Sequence, residues 1–162
     1  MFMMKIKIYC IGKLKEKYFV DAQNEYLKRL ERFAKVEIVE INDLSIPVNS
    51  SLKEEEIVKD KEFELLLQKL DKSSYVIALD LHGKQYDSVK FAEKIDNLMS
   101  NSVTNISFII GGSLGWSSNL SEVAKERLKL SEMTFTHQMT RVILLEQIYR
   151  SFKILRNETY HK

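Results

Sequence analysis

Several kinds of protein are excluded by what this chain has little of. It holds one cysteine, Cys10, so no disulfide framework can form within it, and no Cys/His cluster has zinc spacing. One proline, Pro47, and five glycines exclude collagen-like and Pro/Gly-rich low-complexity chains. The purely apolar runs, Val142–Leu145 and Phe108–Ile110, fall far short of the roughly 20 residues that span a bilayer. No charged-then-apolar leader is expected before the first strand. What remains is 162 residues, 44% hydrophobic and 30% charged, enough apolar material for one core with a charged surface. The expectation is a single domain over 1–162: soluble, reduced, cytoplasmic, with no metal and no membrane partner.

The net charge of +2 is small for a domain dedicated to nucleic acid, yet it is unevenly spread. Residues 1–40 carry nine Lys/Arg against six Asp/Glu, 41–122 carry eight against thirteen, and 123–162 carry eight against four. Basic ends around an acidic middle allow a polyanion surface, although chance division of a mixed surface gives the same numbers.

Lys5–Ile11 alternates and then becomes wholly apolar before Gly12, which predicts a strand and a turn. Apolar residues at helical spacing predict helices over 16–33, 52–70 and 88–99. Further strands are expected at Val36–Ile41, Tyr75–Leu81 and Ile106–Ile110, with His82-Gly83 as a turn. A short helix at 120–128, a brief strand-like piece at 129–133 and a long helix from Thr136 to about Leu155 complete the reading. Strands alternating with helices predict an α/β fold with a largely parallel sheet.

Ligands of open α/β sheets bind beyond the carboxyl ends of the strands. Gly111-Gly112-Ser113-Leu114-Gly115 places three of the five glycines at one such end, where backbone amides can approach a ligand. It lacks both the dinucleotide spacing and the P-loop lysine, and a plain strand-to-helix turn would look the same. Leu79 could form an apolar wall, or be ordinary core. Leu130-Ser131-Glu132-Met133-Thr134-Phe135 leads into Thr136, a natural N-cap, with His137 and Arg141 four apart on one helix face. Glu146 and Arg150 have the spacing of a surface pair. The tail, Tyr160-His161-Lys162, offers a stacking ring, an imidazole and a cation, or else a frayed end.

Taken together, Gly111-Gly112-Ser113, Ser131–Gln138, Arg141, Glu146-Gln147-Ile148-Tyr149-Arg150 and Tyr160-His161-Lys162 resemble the RlmH type of SPOUT-class RNA methyltransferase. The resemblance covers essentially the whole chain, with Met1–Met3 as an expected extension. It implies an α/β-knot fold with a C-terminal trefoil knot, a homodimer, and S-adenosyl-L-methionine as cofactor. It also implies methylation of N3 of a pseudouridine in 23S ribosomal RNA, on the assembled ribosome.

The cofactor positions implied are Leu79, Gly111, Gly112, Leu130, Ser131, Glu132, Met133, Thr134 and Phe135. Glu132 and Thr136 depart from the family, in which lysine and proline are common there. His161 is then the most economical general base, with Tyr160, Lys162 or a water also open, and with His137 and Arg141 as the other catalytic candidates. A ribosome-associated RNA-binding protein without catalysis, or a nucleotide- or NAD-linked enzyme, would share parts of this pattern.

Overall fold

The computed structural model describes residues 3–162. Five strands form one sheet: β1 (Met4–Ile11), β2 (Ala34–Ile41), β3 (Tyr75–Gln85), β4 (Asn105–Ile110) and β5 (Glu126–Lys129). Their order is β2-β1-β4-β3-β5, and every neighbouring pair is parallel. The helices are α1 (Lys17–Leu30), α2 (Leu52–Lys69), α3 (Ser88–Ser100) and α4 (His137–Leu155), with a short 3-10 turn at Ser118–Glu122. Among the described residues no helix is long and apolar enough to cross a membrane.

The near-continuous apolar runs of β1 and β4 follow from burial on both faces. On one face Ile6, Ile8, Phe108 and Ile110 meet Leu30 of α1, Phe91 and Ile95 of α3, and Leu144, Leu145 and Ile148 of α4. On the other, Tyr9, Ile11, Val76 and Ile109 meet Phe63 and Leu66 of α2 and Leu120 of the 3-10 turn. Ser51 and Glu54 form a reciprocal capping box that starts α2, and the Thr136 hydroxyl accepts from Met139 N–H (3.3 Å) to start α4.

Two expectations are corrected. His82-Gly83 does not end β3; the strand runs on to Gln85. Leu79 and Lys84 both lie opposite Leu128, so residues 80–83 are extra on the β3 side. Gly83 is needed there, because a Cβ would lie 2.6 Å from the carbonyl carbon of Arg127. The fifth strand lies at Glu126–Lys129, not at 129–133, and takes the last three residues of the helix expected at 120–128, whose first three belong to the 3-10 turn. In this edge strand only Leu128 is buried, so its charged neighbours read as a solvated helix face.

Candidate active site

The parallel arrangement collects the ends of β1, β3, β4 and β5 along one edge. After β4 the glycine segment closes a tight turn, with Gly115 N–H donating to Gly112 O (3.1 Å) and Gly115 at φ +83°. Trp116 then folds back, and its Nε1–H donates to Leu79 O at 2.8 Å. A Cβ on Gly111 would stand 3.2 Å from Trp116 Cε2, so the indole fills the space beside that glycine. Leu79 and Gly111 are thus joined through a side chain that the sequence pattern did not single out. Gly112 is confined too: a Cβ there would lie 3.2 Å from Ile11 Cγ2 and 3.4 Å from Glu62 Oε1. Glu62 is 6% exposed, and burial pushes its carboxyl up, partly offset by the Leu44 N–H that donates to Oε2 (3.1 Å).

Leu130–Phe135 is irregular chain with an accessible backbone. Among the described residues, Ser131–Phe135 makes no main-chain hydrogen bond; Met133 N–H donates to Ser131 Oγ instead (3.0 Å). Met133 is 74% exposed. A row of unpaired donors and acceptors is suited to reading the edge of a polar ligand. Glu132 turns away and pairs with Lys129 (2.7 Å).

Beside this segment lies a cavity of about 450 Å³, large enough for a nucleoside. Its apolar floor includes Phe91, Leu128 and Ile143, and its rim includes Ser88, Gln147 and His161. Ser88 Oγ donates to Gln147 Oε1 (2.7 Å), which fixes the amide. Of the expected cofactor residues, Leu130 alone lines this cavity; Leu79, Gly111 and Gly112 do not. Spacing offered no signal for Ser88 or Gln147, which converge only through the packing of α3 on α4.

The tail is ordered along α4 and not frayed. Glu158 is gripped by Arg32 (2.5 Å) and Lys153 (2.7 Å). Tyr160 donates to Glu146 Oε1 (3.1 Å), its ring meets Tyr149 edge-on at 4.9 Å, and the Arg150 guanidinium stands 4.7 Å from its centroid. Burial and the Glu146 carboxylate push the Tyr160 phenol up to about 12, so it stays protonated at neutral pH. His161 Nδ1 lies 3.3 Å from Arg150 Nη1. Lys162 is exposed. The expected pair Glu146–Arg150 does form, but it is sheltered and shared with the tail and with Gln147.

His137 and Arg141 lie elsewhere, toward the start of α4; Arg150 is about 20 Å from His137 and about 14 Å from Arg141 along the axis at 1.5 Å per residue. Arg141 is 1% exposed. Its Nη1 donates to Glu40 Oε2 (2.9 Å) and Gln23 Oε1 (3.1 Å), and its Nη2 to Gly12 O (3.2 Å). It binds α4 to β1, β2 and α1 and is closed off from a large substrate. Half-buried His137 packs against Gly12, and burial together with Arg141 holds its imidazole below the usual range. Burial pushes the Cys10 thiol up to about 12, which removes it as a nucleophile. Among the described residues no His/Cys/Asp/Glu cluster could hold a metal ion.

Comparison with known proteins agrees with this architecture. Residues 4–161 match the family model described as "Predicted SPOUT methyltransferase". The ribosomal RNA large subunit methyltransferases H of Ruminiclostridium cellulolyticum and Clostridium beijerinckii are 53% and 52% identical to the chain. Each match covers 98% of this chain and all of the relative. Among solved structures, a probable methylase family protein from Haemophilus influenzae superposes with a TM-score of 0.54 at 11% identity, covering 97% of this chain and 70% of the other. The tRNA (m1G37) methyltransferase of Aquifex aeolicus gives 0.53 at 10%, covering 91% and 69%. At such identities these two structures speak to the fold alone.

Proposed function

The chain belongs to the SPOUT methyltransferase family, and from that premise we propose that it methylates N3 of a pseudouridine in large-subunit ribosomal RNA, using S-adenosyl-L-methionine. The relatives that match over their whole length carry the name of a large-subunit ribosomal RNA methyltransferase, which supports this substrate class. The observation that carries the reading is the cavity on which Leu130 and His161 converge. One residue belongs to the segment suited to the cofactor and the other to the tail suited to the base.

Leu79, Gly111, Gly112 and the accessible backbone of Leu130–Phe135 would hold the cofactor. The tight turn at Gly111–Gly115 and the backbone of Ser131–Phe135, which makes no main-chain to main-chain hydrogen bond, fit a polar, flat ligand. When bound, the cofactor supplies an electrophilic methyl carbon whose sulfur leaves with the bonding pair. The remaining work falls to the protein: to hold the imide nitrogen in line with that carbon and to take its proton. Tyr160, with its phenol near 12, is a donor and stacking surface and a poor base at neutral pH. His161 is the better acceptor. Its Nδ1 faces the Arg150 guanidinium at 3.3 Å, a group that can only donate, so the contact favours the form whose lone pair lies on Nδ1. His137 and Arg141 are assigned to positioning.

The reading extends to the knotted C-terminal part and the homodimer typical of the resemblance. Met139 on the outer side of α4 is 40% exposed and Val142 and Ile143 are incompletely covered, which supports a second copy there. Light scattering is expected to give about twice the 19.0 kDa of one chain.

The test is methyl transfer from labelled S-adenosyl-L-methionine to 70S ribosomes, free subunits and naked ribosomal RNA, with the product nucleoside identified. N3-methylpseudouridine formed on 70S ribosomes is the expected result. RNA binding with no transfer to any substrate would overturn it in favour of a non-catalytic ribosome-associated protein.

A further inference from the structure

The ends of α1 and α4 carry a band in which cations and aromatic rings alternate. The Arg29 guanidinium stands 5.5 Å from the Tyr26 ring centroid and 5.8 Å from that of Tyr149. Arg32 and Arg156 both approach the buried Phe33 ring, at 4.5 and 4.8 Å. Lys153 lies 5.9 Å from Tyr149.

Two guanidiniums within 5 Å of one ring centre are at most about 9 Å apart, close enough to repel. Glu158 is shared between Arg32 and Lys153, and Glu25 serves Arg29. Among the described residues Arg156, exposed at the end of α4, has no carboxylate within ion-pair distance. The ring contacts restrict these guanidiniums, so less side-chain freedom is left to lose when they meet a ligand. The band continues through Arg150 and the tail to His161 at the cavity rim. Arg156 is nine residues from Gln147, about 14 Å along the helix axis.

We propose that this band, centred on Arg29, Arg32 and Arg156, docks the sugar–phosphate backbone of the RNA that flanks the target nucleotide. The proposal rests on the RNA-methyltransferase reading above and adds the surface that reading leaves unassigned. Bidentate guanidinium–phosphate contacts supply affinity without base specificity, while the cavity selects the base.

The test uses the full-length triple variant Arg29→Ala/Arg32→Ala/Arg156→Ala, with Lys153 left to hold Glu158 and with 70S ribosomes and naked large-subunit ribosomal RNA as probes over a potassium chloride series. Its KM for ribosomes is expected to rise ten-fold or more, and the slope of log K against log salt to fall by about two. Affinity for S-adenosyl-L-methionine is expected to match the wild type. Arg156→Glu alone, at an exposed position, is expected to weaken RNA binding in the same direction should the triple variant fold poorly. Lys61→Ala/Lys72→Ala, exposed on and just after α2 across the sheet from the band, is expected to bind RNA as the wild type does. Wild-type affinity and salt slope in a folded triple variant would overturn the surface even if methylation proceeds. Weakened binding by the variant, with no methylation by any form, would uphold the surface and overturn the enzymatic reading instead.

Discussion

The Tyr160 hydroxyl donates to Glu146 Oε1 over 3.1 Å, and that contact turns the chain's last residues back along α4 toward the cavity. Glu146 also receives Arg150 and Gln147, so one carboxylate fixes both the tail and a cavity wall. Tyr160→Phe keeps the ring and loses the bond, worth about 1 kcal/mol. Methyl transfer is expected to fall several-fold with cofactor affinity unchanged. Deletion of Tyr160–Lys162 is expected to abolish transfer by orders of magnitude and again to spare cofactor binding, as calorimetry can check. His161→Ala is expected to lose most transfer and to recover part of it with added imidazole, a rescue that loss of packing alone would not give.

Arg141 acts through structure. Arg141→Met removes the guanidinium that satisfies Gly12 O, Gln23 and Glu40. Glu40 is partly exposed, so water takes over some of its solvation and the loss is expected to be about 2 kcal/mol, below that of a fully buried pair. Chemical denaturation measures it. If RNA contact were the role of Arg141, transfer would collapse while the denaturation midpoint stayed in place.

Gly111 and Trp116 form the second joint. Gly111→Val adds atoms at a position where a Cβ already lies 3.2 Å from the indole, so Trp116 must shift and its bond to Leu79 O is strained. Cofactor binding is expected to be lost in a protein that remains folded. Trp116→Phe removes the Nε1–H and leaves the Gly111 backbone open. It is expected to weaken binding only several-fold, measurable by titration calorimetry.

The contrast between these two joints explains what could be read from the chain. Gly111 and the tail lie in compact motifs, and the alternation of apolar strands with amphipathic helices was legible for β1, β2, β4 and the first part of β3. Trp116, Ser88 and Gln147 were not, because each acquires its role from a partner 37 or 59 positions away. The edge strand Glu126–Lys129 was misplaced for a related reason. A strand with one buried residue carries too little periodicity to outweigh the helical look of its charged neighbours. The resemblance to a family supplied roles for residues, while the convergence of Leu130 and His161 on one cavity required the fold.

Glu62 yields a prediction with a definite sign. It is buried beside Gly112, and burial raises its carboxyl pKa, with a smaller contribution from Asp43 and partial relief from Leu44 N–H. A folded-state pKa above the unfolded one means that the native protein binds more protons between the two values. Stability therefore falls as pH rises from the ordinary glutamate value through the raised one, and ionised Glu62 is a net cost at neutral pH. Glu62→Gln keeps an oxygen to accept from Leu44 N–H and removes the charge. The variant is expected to melt higher than the wild type at pH 7, by a few degrees at most. The difference should vanish near pH 4, where the wild-type carboxyl is already protonated. Thermal melts at both values decide it: a variant less stable at pH 7 than at pH 4, relative to wild type, would mean that the ionised carboxylate holds the glycine turn.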